Sequence, residues 1–200
     1  MRELDGLPSN PFASRLSSLL QSFEDWGTFR TGAKEAAVVA ILYRREGRLY
    51  MPFVARRTDL SSHPGQIGLP GGQVEPGESA WQAAAREAQE EIGVLASDLV
   101  PLGAGPPLYA AVTNYSVAAF VAWLAAEDVR FRPDTRELDA VLEVPLDHLL
   151  DESAWLDGPN SRLGRSLPVE SAVIWGLTAR LLAGILPPIR RALSEDAAGA

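Results

Sequence analysis

The stretch that decides the fold is residues 69–94, LPGGQVEPGESAWQAAAREAQEEIGV, in which a turn-rich loop runs into a helix-forming segment. Ser79, followed three residues later by Gln82, has the spacing of a capping box, which starts a helix just after the serine. Gly93 suits the position just beyond a helix end, where the backbone turns left-handed. These signals predict a helix over residues 80–92.

The two faces of this predicted helix differ in character. Glu87, Glu90 and Glu91 share one arc, since they are related by i,i+3 and i,i+4 spacings. Like charges at i,i+4 destabilise a helix by about 0.2–0.5 kcal/mol per pair, and Arg86 offsets only part of this, through Glu90. The arc is either a solvated acidic face or a site for a divalent cation such as Mg²⁺, which prefers oxygen ligands and bridges protein to substrate phosphates. A separate apolar sector contains Trp81, Ala84, Ala85, Ala88 and Ile92.

The composition narrows the class of protein. Two hundred residues, 46% of them hydrophobic and 22% charged, suit one globular domain with a sizeable core. The formal charge of −8 argues against nucleic-acid or anionic-membrane partners. The absence of cysteine excludes disulfides and zinc–thiolate sites, and no apolar run reaches the roughly 18 residues of a membrane span. We therefore expect a cytoplasmic protein without nucleic-acid or membrane partners. Composition leaves its assembly open, as a monomer or homodimer.

Hydrophobic patterning predicts the elements around the helix. Short apolar runs rich in β-branched and aromatic residues predict four strands, and a short helix follows the last of them. Between that helix and the C-terminal segment, residues 152–170 are predicted to form an irregular connector. The predicted strands are at 35–43, 48–57, 115–124 and 138–146. The mixture of elements indicates α/β layers.

The two ends of the chain carry their own signals. Asn10 followed by Pro11 predicts the start of a helix, within an N-terminal helical extension, residues 1–33, that packs on the main domain, residues 34–190. A last helix is predicted over residues 170–186 and is expected to stop at Pro187 and Pro188, because proline breaks helix interiors. A disordered tail is expected over residues 191–200.

At this point residues 72–94 resemble the signature of the Nudix hydrolases, which is G, five residues, E, seven residues, then R-E-U-x-E-E-x-G-U, with U a bulky apolar residue. One position departs from the pattern, because Ala88 fills the first U slot. The resemblance implies an α/β fold of the Nudix type, an α/β/α sandwich around a mixed sheet. The matching residues are Gly72, Glu78, Arg86, Glu87, Glu90, Glu91, Gly93 and Val94.

The resemblance also implies roles for these residues. Glu87, Glu90 and Glu91 would bind Mg²⁺ or Mn²⁺, with assistance from the Gly71 carbonyl. The alternative is that one of these glutamates remains free as the base. Catalysis would rest on Glu90 and Glu91, supported by an ion pair between Glu78 and Arg86 that holds the loop to the helix. The glycines, Gly72 included, would let the loop backbone approach the ions and the substrate. Outside the signature, Glu137 is a candidate for an extra metal ligand or base, with plain surface charge as the alternative.

Residues 56–72, RRTDLSSHPGQIGLPGG, resemble the loop that coenzyme A pyrophosphatases of this superfamily place before their signature. The family usually has a second arginine in this loop, where the chain has Ser61 and Ser62. Arg56 and Arg57 are therefore the candidates to bind the 3′-phosphate of coenzyme A, because a guanidinium fork matches phosphate geometry. The matching residues are Gly65, Leu69, Pro70, Gly71 and Gly72.

The subfamily resemblance implies hydrolysis of coenzyme A to 4′-phosphopantetheine and adenosine 3′,5′-bisphosphate. One alternative is an ADP-ribose or NADH pyrophosphatase, and another is a catalytically silent Nudix-like domain that binds a nucleotide. RNA decapping is disfavoured by the acidic charge. His63 and His148 have no Asp or Ser partner at motif spacing, so we expect both to be structural.

Overall fold

The computed structural model describes residues 10–59, 64–126, 129–158, 164–170 and 172–197. Within these ranges the strands are β1 Lys34–Arg45, β2 Arg48–Arg56, β3 Ile67–Gly68, β4 Gly71–Gln73, β5 Leu99–Ala104, β6 Leu108–Ala110, β7 Tyr115–Leu124, β8 Leu138–Pro145, β9 Leu156–Asp157, β10 Arg165–Val169 and β11 Ala172–Ile174. The helices are α1 Pro11–Leu19, α2 Ala80–Ile92, α3 Leu146–Leu150 and α4 Gly176–Ala197. Among these described helices, none combines the length and apolar character that crossing a membrane requires.

The centre of the fold is a mixed sheet. Its main strand order is β3-β2-β1-β7-β5, while β4, β6 and β8 add at the sides to β1, β7 and β2 respectively. Strands β1 and β7 run parallel, and the pairs of β1 with β2 and of β2 with β8 are antiparallel. A second, three-stranded sheet is formed by β9, β10 and β11. The β1–β2 hairpin turns at Glu46 and Gly47, both with positive φ, which fits a tight two-residue turn.

Both faces of the sheet are covered by helices. Strand β1 is buried on both sides because alternate residues point to opposite faces. Val39 and Ile41 pack in the cluster that contains α2, and Ala40 and Leu42 pack in the cluster that contains α1, α3 and α4. The predicted α/β/α sandwich around a mixed sheet is therefore confirmed.

Helix α2 lies close to the sheet because small side chains line its inner face. Ala84 and Ala88 are fully buried against β1 and β7, which lets the two backbones approach. Trp81 occupies the edge of the contact, where its ring meets Phe120 edge-on at 5.5 Å between centroids. The predicted helix limits of 80–92 are confirmed. The predicted opening helix is also confirmed, since the Asn10 side chain accepts a hydrogen bond from the first turn of α1.

The C-terminal predictions were partly wrong. The connector predicted over residues 152–170 contains β9 and β10, and the segment predicted to start the last helix forms β11, so α4 begins only at Gly176. Gly176, the first residue of α4, has φ 62°, a left-handed conformation that glycine adopts without steric cost.

The helix α4 also continues beyond its predicted end. It passes through Pro187 and Pro188 to Ala197, so residues 191–197 are helical and do not form the expected tail. A proline in a helix interior costs about 3 kcal/mol, whereas burying a large apolar side chain stabilises by about 1.5–3 kcal/mol. Burial outweighs the proline cost here, because buried apolar residues flank the pair on both sides. These residues are Ile185, Leu186, Ile189 and Ala192.

Candidate active site

Both ends of α2 are fixed by local contacts, which positions the acidic residues in its second half. The Ser79 hydroxyl accepts a hydrogen bond from the backbone N–H of Gln82 at 3.2 Å. In return, the Gln82 side-chain oxygen accepts one from the Ser79 N–H at 2.8 Å. At the other end, Gly93 has φ 73° and its N–H donates to the Gln89 carbonyl. The predicted capping box and glycine end are thus both present.

Arg86 joins the loop to the helix. Its Nη2 lies 2.9 Å from Glu78 Oε1 and also donates to the Gln73 carbonyl at 3.1 Å. Its Nη1 lies 2.9 Å from Glu87 Oε1 and 3.1 Å from Glu90 Oε2. The ion pair expected between Glu78 and Arg86 is present. Among the three clustered glutamates, Arg86 was expected to pair with Glu90 alone. This was wrong, because the Arg86 guanidinium also forms an ion pair with Glu87.

The two loop glycines allow a close approach that other residues would block. A Cβ on Gly72 would collide with the Glu87 carboxylate. A Cβ on Gly71, whose φ is 152°, would collide with the backbone of Ala37 and Val38. Glycine at these two positions therefore lets the loop lie between β1 and the carboxylates of α2.

Glu91 is the most buried of the acidic residues, with 5% of its surface exposed. Its Oε2 accepts a hydrogen bond from the Gly71 N–H at 3.0 Å. Burial raises the pKa of the Glu91 carboxyl from 4.5 to about 7, and burial likewise raises the pKa of Glu87. Desolvation disfavours a carboxylate that has no full counter-charge, so both groups would be stabilised by a nearby cation.

A segment far along the chain completes the site. The Asp134 N–H donates to the Glu91 carbonyl at 2.8 Å, which ties the segment before β8 to the end of α2. The Arg136 guanidinium forks onto Asp134 and holds the pKa of that carboxyl at about 2. Glu137 was predicted from the sequence, whereas Asp134 and Arg136, which belong to no motif, were not. The resulting cleft of about 220 Å³ is lined by Glu87, Glu90, Glu91, Asp134, Arg136 and Glu137.

The structure separates the two candidate arginines. Arg56 borders the cleft, with Nη1 4.0 Å from Glu91 Oε1 and Nη2 3.7 Å from Glu137 Oε2. Arg57 instead forks onto the Asp59 carboxylate at 2.8 and 2.6 Å and donates to a backbone carbonyl through Nη1. The Arg57 guanidinium is therefore committed to protein contacts, whereas that of Arg56 faces the acidic residues.

The histidines fall outside the cleft or outside the described residues. His148 Nε2 lies 2.8 Å from the Pro168 carbonyl and so links α3 to β10. This contact agrees with the structural role expected for His148. His63, together with Ser61 and Ser62, lies outside the residues that the structure describes.

The acidic residues share a cleft but do not form a closed metal cage. Within the described ranges, no three Asp, Glu or His side chains converge closely enough to ligate one ion. Glu87 and Glu90 turn toward Arg86, and Glu91 turns toward the Gly71 N–H. The donor set still fits Mg²⁺ or Mn²⁺, because such ions take one or two carboxylates and complete their shell with waters and substrate phosphates.

Comparison with known proteins points to one family. The family model described as NUDIX domain matches residues 33–162. An uncharacterized Nudix hydrolase NudL from Yersinia enterocolitica is 35% identical over 165 residues, which cover 78% of this chain and 82% of that protein. The protein of the same name from Yersinia pestis is 32% identical over 160 residues, covering 76% and 77%.

Solved structures share the fold at lower identity. The Nudix hydrolase RenU from M. smegmatis has 19% identity and a TM-score of 0.55, covering 88% of this chain and 94% of that one. The Nudix domain of Shewanella oneidensis NrtR, complexed with ADP-ribose, has 17% identity and a TM-score of 0.54, covering 82% and 90%. A C. elegans Ap4A hydrolase has 20% identity and a TM-score of 0.52, covering 84% and 99%.

Proposed function

The chain belongs to the Nudix hydrolase family, and from this premise we propose that it hydrolyses the pyrophosphate bond of coenzyme A or a coenzyme A derivative. The products would be 4′-phosphopantetheine and adenosine 3′,5′-bisphosphate. The observation that carries the reaction class is the cleft in which three signature glutamates meet the loop glycines. The loop over residues 56–72 supports the coenzyme A assignment through its resemblance to that subfamily.

Glu87, Glu90 and Glu91 would hold Mg²⁺ or Mn²⁺ in this cleft. When bound, such an ion polarises a phosphoryl oxygen and lowers the pKa of an attacking water. The chain itself keeps the loop and the helix in register through Arg86. Gly71 and Gly72 let the loop lie directly against β1 and the Glu87 carboxylate. Glu137 lines the same cleft and is the candidate for an extra ligand or base.

Arg56 would contact the substrate at the reacting phosphates. Its guanidinium lies at the acidic cleft, within 4.0 Å of Glu91 and 3.7 Å of Glu137. A phosphate entering between these carboxylates would meet a fork of donors that matches its oxygens. Arg56 would therefore offset the negative charge that the cleft presents to a pyrophosphate.

The second candidate is an ADP-ribose or NADH pyrophosphatase. It is favoured by the contact of Arg57 with Asp59, which removes one candidate for gripping a 3′-phosphate. A nucleotide-binding domain without activity is the third candidate. The signature, which departs from the family pattern only at Ala88, and the ion pair between Glu78 and Arg86 favour an enzyme over this last alternative.

The test is hydrolysis of a substrate panel by the purified protein, followed by chromatography of the products. The panel is coenzyme A, dephospho-coenzyme A, ADP-ribose, NADH and Ap4A, each with Mg²⁺, with Mn²⁺ and with chelator. We expect metal-dependent cleavage with the highest kcat/KM for coenzyme A, and Glu90→Gln as the inactive control. A higher kcat/KM for dephospho-coenzyme A or ADP-ribose would replace the coenzyme A assignment with the second candidate.

A further inference from the structure

The described residues that line the acidic cleft include a single cation, Arg136. A diphosphate brings further negative charge into this cleft, and a resident cation would offset part of it. Arg136 lies at the mouth of the cleft, because 87% of its side chain is exposed, whereas that of Asp134 beside it is only 19% exposed. An entering anion can therefore reach the Arg136 guanidinium. The other lining residues are all acids, Glu87, Glu90, Glu91, Asp134 and Glu137.

Asp134 holds the Arg136 guanidinium along one edge only. Arg136 Nε lies 3.0 and 3.1 Å from the two Asp134 carboxylate oxygens, and Nη2 lies 2.7 Å from Oδ2. A guanidinium has five N–H donors in a fixed plane, so this contact leaves both donors of Nη1 and one of Nη2. Within the described ranges, no protein acceptor takes a hydrogen bond from Nη1. The edge formed by Nη1 and Nη2 is therefore available to a ligand.

The segment that carries Arg136 is tied to two neighbouring elements. The Asp134 N–H donates to the last acidic carbonyl of α2, that of Glu91, at 2.8 Å. From the end of β2, the Arg57 N–H donates to the Glu137 carbonyl at 2.9 Å. Arg57 Nη1 donates to a further carbonyl of the same segment at 3.0 Å. Because its backbone is held by both α2 and β2, Arg136 extends from a defined position beside the cleft.

We propose that Arg136 binds the diphosphate of the substrate through charge-assisted hydrogen bonds from Nη1 and Nη2, and that Asp134 is its positioning residue. An exposed ion pair such as this one adds little to stability, whereas holding the guanidinium in its bound orientation lowers the entropic cost of binding. The inference rests on the proposed function in that the cleft receives a diphosphate, so it applies to coenzyme A and to ADP-ribose alike. Arg136 would complement Arg56, which borders the same cleft near Glu137.

The kinetic test uses the substrates of the panel that wild type cleaves. Arg136→Gln should raise KM about tenfold and leave kcat within about twofold, because a cation at the mouth holds the diphosphate equally in the ground and transition states. Arg132→Gln is the matched control, since it removes an exposed arginine of the same segment that does not line the cleft. Its constants should stay within about twofold of wild type. An unchanged KM for Arg136→Gln would overturn the proposal.

The Asp134→Asn/Arg136→Gln double variant separates substrate binding from local charge balance. If Arg136 binds the diphosphate, the double variant keeps the raised KM of Arg136→Gln. If Arg136 only neutralises Asp134, removing both charges restores the wild-type KM. Asp134→Asn alone should raise KM about threefold, because the guanidinium is present but no longer held in place. A restored KM in the double variant would remove Arg136 from the substrate site, while the proposed function stands.

Calorimetry with methylenediphosphonate, a diphosphate analogue with a non-hydrolysable P–C–P bridge, gives a second readout that does not depend on turnover. With Mg²⁺ present, Arg136→Gln should bind the analogue about tenfold more weakly than wild type, and Arg132→Gln should bind it equally well. Equal Kd values for wild type and Arg136→Gln, or no binding to wild type, would contradict the assignment of Arg136. If wild type cleaves none of the panel substrates, the proposed function fails, and the calorimetry alone decides the assignment of Arg136.

Discussion

Arg86 is one cation shared by several anions. Its guanidinium contacts the carboxylates of Glu78, Glu87 and Glu90, and two of these are themselves largely shielded, with 16% and 19% of their side chains exposed. Only the planar fork of arginine can reach acceptors on both sides at once, so lysine cannot replace it. Loss of Arg86 would leave shielded carboxylates without a counter-charge.

We predict that Arg86→Gln lowers the free energy of unfolding by about 1–3 kcal/mol, because it leaves shielded acceptors unpaired. Activity should fall at least about tenfold as the loop loses its register with the helix. Arg191→Gln is the control, since its ion pair with Glu195 is exposed and contributes little. Urea unfolding of both variants is the measurement. Equal stabilities of the two variants would show that Arg86 is not structural.

Gly72→Ala tests the close approach of the loop to Glu87. The added Cβ would collide with the Glu87 carboxylate and force it to move, and a displacement of about 1 Å at a reacting centre can cost on the order of a hundredfold in kcat. Gly68→Ala is the matched control, because its Cβ would meet only an ordinary contact at 3.8 Å with Val54. The comparison of kcat for the two variants checks this prediction. Similar activities would mean that the glycine at 72 is not required for the site.

Helix α2 carries its acidic residues at the end where they are least favourable. The negative end of the helix dipole lies near Glu90 and Glu91, and acids there oppose it. Glu91 adds the cost of burial, since its pKa rises to about 7 from 4.5. A group whose folded pKa is raised contributes stability below pH 4.5, and this contribution is lost as the pH rises toward 7. These residues therefore lower the stability of the helix, as expected if they serve the proposed ion binding.

In chelator, the stability of wild type should fall relative to that of Glu91→Gln as the pH rises from about 4.5 to 7. The glutamine cannot ionise, and its side-chain oxygen still accepts a hydrogen bond from the Gly71 N–H. At pH 8 the variant should be the more stable protein by an amount on the order of 1–3 kcal/mol, and near pH 4.5 the two should be equal. Denaturant unfolding at both pH values decides the point. A variant that is less stable at pH 8 would show that the ionised carboxylate stabilises the fold.

Helix α4 tests whether burial or local propensity decides where a helix ends. Ile189 is fully buried just after the proline pair. We predict that Ile189→Ala destabilises by about 2–5 kcal/mol, as expected for a large apolar side chain in a core. Val112→Ala, at a fully exposed position, is the control and should change stability by less than about 0.5 kcal/mol. Equal unfolding midpoints for the two variants would contradict packing of this part of α4.

The acidic cleft as a whole is assembled from segments that lie far apart in the chain. Arg56 ends β2, Gly71 begins β4, the glutamates come from α2, and Glu137 precedes β8. The cleft concentrates five carboxylates, Glu87, Glu90, Glu91, Asp134 and Glu137, in a molecule that is already acidic. Cation binding and folding should therefore be linked, because only the folded chain brings these groups together.

We predict that Mg²⁺ raises the thermal midpoint of wild type, by linkage worth about 2.7 kcal/mol at a concentration a hundredfold above Kd. The Glu87→Gln/Glu90→Gln variant should gain much less. Na⁺ at matched ionic strength controls for screening, which acts on both proteins alike. Identical Mg²⁺ shifts for wild type and variant would exclude these glutamates as ligands.

Helix α2 with its caps, the four long strands and the signature glutamates could be predicted from sequence, because capping and hydrophobic periodicity act over a few residues. Of the residues that line the cleft, the four glutamates were predicted and two were not. Asp134 and Arg136 reach it through a backbone hydrogen bond to the end of α2, about forty residues earlier in the chain. No local pattern records such a contact.

Tertiary packing also determined features of the structure that local sequence signals predicted wrongly or left open. The proline pair predicted the end of α4, but buried side chains on both sides of it carried the helix onward. From the sequence, Arg56 and Arg57 were equally good candidates for phosphate binding. In the structure, Arg57 pairs with Asp59, whereas Arg56 lies near Glu91 of the acidic cleft. The Arg30 guanidinium lies over the Tyr109 ring of β6, and Lys34 Nζ lies over the Tyr115 ring of β7, because the sheet brings these segments together. Propensity acts within a turn or two of chain, whereas burial and charge pairing depend on which distant residues the fold makes neighbours.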